Sequence, residues 1–299
     1  MQKAQSVLSR LQNKAKETGR SYQLCLQLFC QEEFLRRLSL SKYVDNLILK
    51  GGLFIYTLTK FESRATVDVD FLLRYRSNSK QEIIKIVNAI IAQATGNNFI
   101  TFELNGVSDI ALPKKYTGIS VKLTARIAHT RTPFKIDFGI GDALVPKPQK
   151  RTIPTQLDTF IKPEINTYSL ESTIAEKFDA MLQRLAFTSR MKDYFDIAYL
   201  ANTFEFDGRR LQEAIFETLQ NRGTRYEKNS FEEIASFANH EEMNLKWRHF
   251  LRKLKLTEPP FSDVLKIIES FLSPVFDAIV SERDFYGKWD RQTFLWRNN

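Results

Sequence analysis

Asp68 and Asp70 stand two residues apart in Val67-Asp-Val-Asp-Phe-Leu-Leu73, a segment in which apolar and acidic residues alternate. A period of two belongs to a β-strand, so both carboxylates leave one face while Val67, Val69 and Phe71 turn to the core. Two adjacent anions repel unless a cation or a proton lies between them, and a site built from oxygen atoms alone suits Mg²⁺. A strand face with nothing but water against it gives the same pattern, so the pair needs company to signify chemistry. Upstream, Gly51-Gly52 falls between the short apolar run Asn46–Lys50 and the helically spaced Leu53–Phe61, which reads as strand, glycine turn, helix. Bare backbone at a helix start can approach phosphate oxygens, and a side chain there would obstruct them. A third acid, Asp137, sits in Pro133-Phe-Lys-Ile-Asp-Phe138, which alternates in the same way. Placed beside the Asp68 strand, it would complete a three-carboxylate site for a pair of metal ions, as two-metal phosphoryl transfer requires; alone, it reads as a salt bridge or a sheet-edge charge.

The elements that must position these residues follow from periodicity. Ala4 to Leu40 reads as one or two amphipathic packing helices, broken near Thr18-Gly19. Lys80–Gln93 is helical, and Phe99–Leu104, Ser120–Ala128 and Phe134–Phe138 are strands rich in Val, Ile and Phe. Interleaved helices and strands predict an α+β fold with a mixed sheet flanked by helices. Pro146, Pro148, Pro154 and Pro163 exclude regular helix from Asp142 to Pro163, and the domain boundary is set there: a core over 1–160 and a lobe over 161–299. That second lobe reads as almost entirely helical, with helices over Ser169–Phe187, Met191–Ala201, Arg209–Arg222, Glu232–Leu254 and Ser262–Val280.

Composition narrows the class. Lys and Arg exceed Asp and Glu by 44 − 35 = 9 among 299 residues, and the pI near 9.4 inclines the chain toward an anionic partner. Cys25 and Cys30 are the only cysteines, and His129, His240 and His249 are scattered. That leaves no zinc-ligand spacing and no Ser-His-Asp pattern, so metal chemistry must run on carboxylates. Met1–Arg20 lacks the apolar core of a signal peptide, and no run of about 18 apolar residues occurs, so a cytoplasmic protein without a membrane partner is expected.

Taken in order, Leu49-Lys-Gly-Gly-Leu53, Arg64-Ala-Thr-Val-Asp-Val-Asp-Phe71, Phe134-Lys-Ile-Asp-Phe138, Ala175-Glu-Lys-Phe178 and Ser189-Arg-Met-Lys-Asp-Tyr-Phe-Asp196 resemble the motif set of the AbiEii/AbiGii (MenT-like) toxins of the DNA polymerase beta-like nucleotidyltransferase superfamily. The match spans roughly residues 45 to 201; the last hundred residues carry no matching motif. The resemblance implies a nucleotidyltransferase-like mixed sheet followed by a mainly helical C-terminal lobe. It implies an NTP substrate and two Mg²⁺ ions, with Asp68, Asp70 and Asp137 as metal ligands and Gly51 and Gly52 as the phosphate loop. The Ser common in that loop elsewhere in the superfamily is here a Gly, so backbone N–H groups must serve. By the same resemblance Lys177, Lys192 and Asp193 come from the helical lobe. Lys177 extends a cation to the triphosphate; read without the family, it is a lysine snorkelling beside the stripe Ile174, Phe178, Met181 and Leu185. Asp193 fits the last motif better than Asp196, which is free to hold Arg190 or Arg184. Arg64 matches as well, either on phosphate or bracing a carboxylate.

MenT-like members modify tRNA, so the acceptor implied is a tRNA 3′ end, with translation blocked, an antitoxin encoded nearby and a role in toxin–antitoxin or phage-defence systems. Two other readings stay open: nucleotide transfer to a protein side chain, and a non-catalytic nucleotide-binding regulator. Lys246, Arg248, Arg252, Lys253 and Lys255 around Trp247, Phe250, Leu251 and Leu254 form either an RNA-facing helix or a plain amphipathic one. Phe285, Tyr286, Trp289, Phe294 and Trp296 either stack bases or dock on their own domain.

Overall fold

The computed structural model describes residues 2–110, 118–184 and 190–297. Leu185, Ser189 and the expected end of a helix at Phe187 lie outside them. The chain divides into two compact units: Met1–Gly141 with Pro148–Tyr168, and Asp142–Lys147 with Ser169–Asn299.

The first unit runs α1 (Gln2–Thr18), α2 (Tyr22–Leu40), β1 (Leu47–Lys50), α3 (Gly51–Leu58), β2 (Asp68–Leu73), α4 (Lys80–Ile91), β3 (Ile100–Ile110), β4 (Gly118–Ile127), β5 (Thr130–Gly139), β6 (Gln149–Thr152) and β7 (Glu164–Thr167). The strands form one mixed sheet in the order β3-β4-β5-β2-β1-β7-β6. Two pairings are parallel, β2 with β5 and β1 with β7. The proline-rich stretch read as a boundary thus contributes an edge strand, β6, which pairs antiparallel with β7. Its four residues, Gln-Lys-Arg-Thr, are all polar or basic and gave no apolar period to announce a strand.

Within β2, Val69 and Phe71 are buried, as alternation demands, but Val67 is 46% exposed, contrary to the sequence expectation. The cause is local: Val67 precedes the strand, and its carbonyl accepts hydrogen bonds from the Gln31 amide at 2.8 Å and the Gln27 amide at 3.3 Å. That pins the peptide to α2 and leaves the side chain outside.

The second unit holds α5 (Leu170–Arg184), α6 (Met191–Thr203), β8 (Phe206–Asp207), α7 (Gly208–Arg222), α8 (Ser230–Ser236), a 3₁₀ turn (Phe237–Asn239), α9 (Glu241–Lys253), α10 (Phe261–Val280), β9 (Lys288–Asp290) and β10 (Leu295–Arg297). It is not purely helical, because β10, β9 and β8 form a three-stranded sheet. Nor does one helix span Glu232–Leu254: His240 is extended (φ −86°, ψ 114°) and starts α9 afresh, which lets both Phe237 and Trp247 reach the interior. The aromatic tail docks on its own unit. Trp289 donates to the Ala201 carbonyl at 2.8 Å, and Trp296 donates to the Phe271 carbonyl at 2.9 Å while stacking on the Phe271 ring. Among the described residues no helix is long and apolar enough to cross a membrane.

Helix α2 carries charge where its pattern suggested only packing. Glu33 is fully buried and accepts from Arg36 Nε at 2.8 Å, Arg37 Nε at 3.2 Å and Asn97 Nδ2 at 2.8 Å, and from the Thr95 hydroxyl. Arg37 continues to the carbonyls of Ile100, at 2.8 Å, and Ile91. These bonds tie α2 to the end of α4 and the start of β3, and a buried ion network of this kind fixes register more than it adds stability. The neighbouring Glu32 accepts the Gln156 backbone N–H at 3.0 Å. Burial pushes the Glu32 carboxyl up to about 7, against the opposing pull of Arg36. An acid whose folded pKa is raised keeps its proton while the unfolded chain releases it, so stability falls as pH rises from about 4.5 to about 7. The expected loss from this group is about 3 kcal/mol. Chemical denaturation at pH 5 and pH 8 should show Glu32→Gln gaining on the parent by that amount between the two; parallel pH profiles would remove Glu32 as the cause.

Candidate active site

Strands β2 and β5 are parallel neighbours in a register that sets Asp68 opposite Lys135 and Asp70 opposite Asp137. Partners in register share a sheet face, so all three acids stand on one patch. The patch is not a ready-made cage: among the described residues no three acidic, cysteine or histidine side chains are gathered closely enough to hold a metal as they stand. Lys135, two residues before Asp137 and on its face, is the local reason. Its ammonium lies 2.8 Å from Asp137 Oδ2, and the hydrogen bond to Asp137, then the fields of Asp68 and Asp70, hold its pKa above the ordinary lysine value. The other oxygen, Asp137 Oδ1, is buried with no hydrogen-bond partner. An orphaned carboxylate oxygen beside two further carboxylates fits a hard divalent cation. Asp68, Asp70 and Asp137 are thus the residues that could hold such a cation, and their oxygen chemistry fits Mg²⁺.

The glycine turn fits this patch sterically. Gly51 adopts φ +71°, and a Cβ built there would lie 2.2 Å from Asp70 Oδ2 and 2.9 Å from its Cγ. The Asp70 carboxylate thus occupies the space that any other residue at 51 would need. A Cβ on Gly52 would meet the Thr66 side chain at 3.0–3.2 Å. Gly51 opens α3, whose cap residue Lys50 is extended and makes no side-chain capping bond; such a start presents N–H groups to an anion. Arg64 is half-buried in the loop between α3 and β2.

Sequence reasoning passed over Lys50, Lys135 and Thr66, although all three lie inside or beside quoted motifs. Lys50 pairs in register with Asp70, and its ammonium lies over the Tyr168 ring at 5.3 Å, close to Gly139. The signal that could have found Lys135 was the strand period itself, since i and i+2 share a face.

In the second unit, α5 and α6 carry the remaining motif residues. Ala175 and Phe178 are fully buried, Phe178 against the Phe231 and Phe276 rings. Between them Glu176 pairs with Arg222 at 3.1 Å, and Arg222 also holds Asp142 at 2.6 Å and Asp179 at 2.7 Å. Lys177 is buried, with its ammonium 3.0 Å from Asp193 Oδ1 and 2.6 Å from Asp196 Oδ2. The i, i+3 spacing on α6 thus places both carboxylates on one lysine. Asp196 holds Lys177, and Arg190 goes to Asp193 Oδ2 at 2.6 Å. Burial tends to raise the Asp193 pKa, but Lys177 and Arg190 outweigh it and hold the carboxyl below the ordinary aspartate value. Lys192 is half-buried on the first turn of α6.

A mixed sheet that sets two acids on one strand beside a third on its parallel neighbour, with a glycine-opened helix packed against the pair, is the framework of a nucleotidyltransferase. The chain belongs to the AbiEii family: the family model for the nucleotidyl transferase AbiEii toxins of type IV toxin–antitoxin systems matches residues 33–282. It is accordingly a nucleotidyltransferase toxin of that type. MenT4, a nucleotidyltransferase toxin from Mycobacterium tuberculosis H37Rv, has a similar fold, with a TM-score of 0.56 at 16% identity over 92% of this chain and 99% of its own. JHP933 from Helicobacter pylori aligns over 88% of this chain and 95% of its own at 13% identity, with a TM-score of 0.47. No curated protein sequence matches the chain.

The geometry at residue 51 gives a direct test. In Gly51→Ala the methyl group must displace the Asp70 carboxylate and the backbone must hold a left-handed conformation, at roughly 1–2 kcal/mol. Nucleotidyl transfer should fall by roughly a hundredfold, while thermal unfolding shifts by only a few degrees. Near-parental transfer by this variant would show that the contact between position 51 and Asp70 does not matter to the reaction.

Proposed function

We propose that this toxin transfers a nucleoside monophosphate from an NTP to the 3′ end of tRNA, and that the added nucleotide blocks charging and so translation. The reading rests on the patch of Asp68, Asp70 and Asp137 beside Gly51; the tRNA acceptor comes from the resemblance to MenT-like toxins. Asp68, Asp70 and Asp137 would hold Mg²⁺, expected as two ions, which when bound neutralises phosphate charge and makes a nearby hydroxyl more acidic. Backbone N–H groups of Gly51 and Gly52 receive the phosphates, with Arg64 as a further cation near them. An acceptor hydroxyl oxygen forms a bond to the α-phosphorus and gives up its proton to water as the bond to the bridging α–β oxygen breaks, and pyrophosphate leaves with the pair of electrons.

To the same reaction the family resemblance assigns Lys177, Lys192 and Asp193. Lys177 steadies the negative charge of the leaving group, and Asp193 with Asp196 fixes where its ammonium stands. An antitoxin encoded close by, and a part in phage defence, belong to the same proposal.

Incubation of the purified protein with α-labelled NTPs and total tRNA, with and without EDTA, tests it. Label should enter tRNA only when divalent metal is present. Asp68→Ala should lose roughly a hundredfold to a thousandfold or more of the transfer, with its growth inhibition in cells, and keep its circular dichroism. Label on a protein in place of RNA would reassign the acceptor; full toxicity of Asp68→Ala would overturn the enzymatic account.

A further inference from the structure

A cleft in the first unit lies at the other end of α3 from the glycine turn. Its volume is about 370 Å³, and its floor includes Phe54, Leu58 and Ile153. Three cations line it: Lys60 just after α3, Arg151 on the edge strand β6, and Lys162 just before β7. Among the described residues no acidic side chain lines it, and no carboxylate pairs with any of the three. Like charges brought to one cleft repel, and elsewhere in this chain buried or clustered cations are matched, as Arg222 is by Asp142, Glu176 and Asp179. The C-terminal end of α3 offsets part of the Lys60 charge; Arg151 and Lys162 have no such neighbour. Arg151 adds a second observation. One end of its guanidinium donates to the Gln149 side chain, but its Nε is buried with no partner. A buried donor left unmatched costs free energy until an acceptor arrives.

We propose that this cleft is a second ligand site, separate from the acid patch, that binds a nucleoside phosphate. The three cations and the orphan Nε supply a phosphate subsite, and the apolar floor supplies a surface for a flat, weakly polar body such as a base. A volume in the range of small-ligand clefts accommodates one nucleotide, not an extended polyphosphate with its nucleoside. The same unit reaches the cleft either as a free mononucleotide or as one residue of a single-stranded RNA.

The test uses the full-length protein with ¹³C-methyl-labelled isoleucine, in EDTA so that no metal-dependent binding at the acid patch contributes. AMP, a trinucleotide of RNA and inorganic phosphate are titrated separately while the Ile153 methyl resonance is followed. AMP or the trinucleotide should shift that resonance saturably and bind at least tenfold more tightly than inorganic phosphate. AMP binding as tightly as the trinucleotide assigns a free nucleotide; tenfold tighter trinucleotide binding assigns an RNA strand. Arg151→Ala with Lys162→Ala should weaken binding at least tenfold, and Asp68→Ala should leave it unchanged. Where Arg151→Ala lowers the melting temperature, Lys60→Ala with Lys162→Ala, both at exposed positions, replaces it. A motionless Ile153 methyl, equal affinity for inorganic phosphate, or undiminished binding by both cation variants would overturn the proposal. None of these results depends on whether Asp68 is catalytic.

Discussion

Repulsion among carboxylates on one sheet face is the constraint around which the first unit is arranged. Three acids set on adjacent strands in parallel register cannot relax by moving apart, because Val69, Phe71, Ile136 and Phe138 fasten the same strands to the core. The charge must be met in place. Lys135 meets part of it from within β5, leaving one Asp137 oxygen unmatched. The Asp70 carboxylate stands in the space left empty by Gly51. A glycine with positive φ is ordinarily a matter of backbone freedom; at Gly51 the absent side chain matters as much, because a carboxylate stands where it would be.

Lys135 does not close the patch to a cation. Its ammonium is a long, half-buried group on a flexible stem, so a divalent cation would compete there with one side chain and not with a packed element. Until then the lysine lowers the cost of holding three acids together, and the folded patch persists without unpaired repulsion across every strand.

Much of this was legible in the sequence, and for identifiable reasons. Period two placed Asp68, Asp70 and Asp137 on strands, and glycine chemistry placed Gly51 at a helix start, because both signals are local. What failed was nonlocal. Val67 looks like a core residue until one sees that Gln27 and Gln31, forty and thirty-six positions away, hold its carbonyl. The apolar spacing of α2 announced packing and said nothing of its charges, yet Glu33 and Arg37 are buried because Asn97, Thr95 and two carbonyls come from elsewhere to match them. β6 carries no apolar period, being an edge strand defined by its partner β7. The break in the Glu232–Leu254 helix was missed because helical spacing persists through it and only the burial of Phe237 and Trp247 demands the turn.

The motif Ala175-Glu-Lys-Phe178 shows how four consecutive residues can serve one purpose. Phe178 and Ala175 fix the depth of α5 in its unit, and Glu176 fixes it laterally through Arg222 on α7. Lys177, on the adjoining face, is then held by Asp193 and Asp196 on α6. Fixing a lysine in one rotamer costs about 2 kcal/mol of side-chain entropy. Here the two carboxylates of α6 hold that ordering in the folded chain. With Arg190 also on Asp193, two cations face two carboxylates, so the burial of each charge is offset by an opposite one close by.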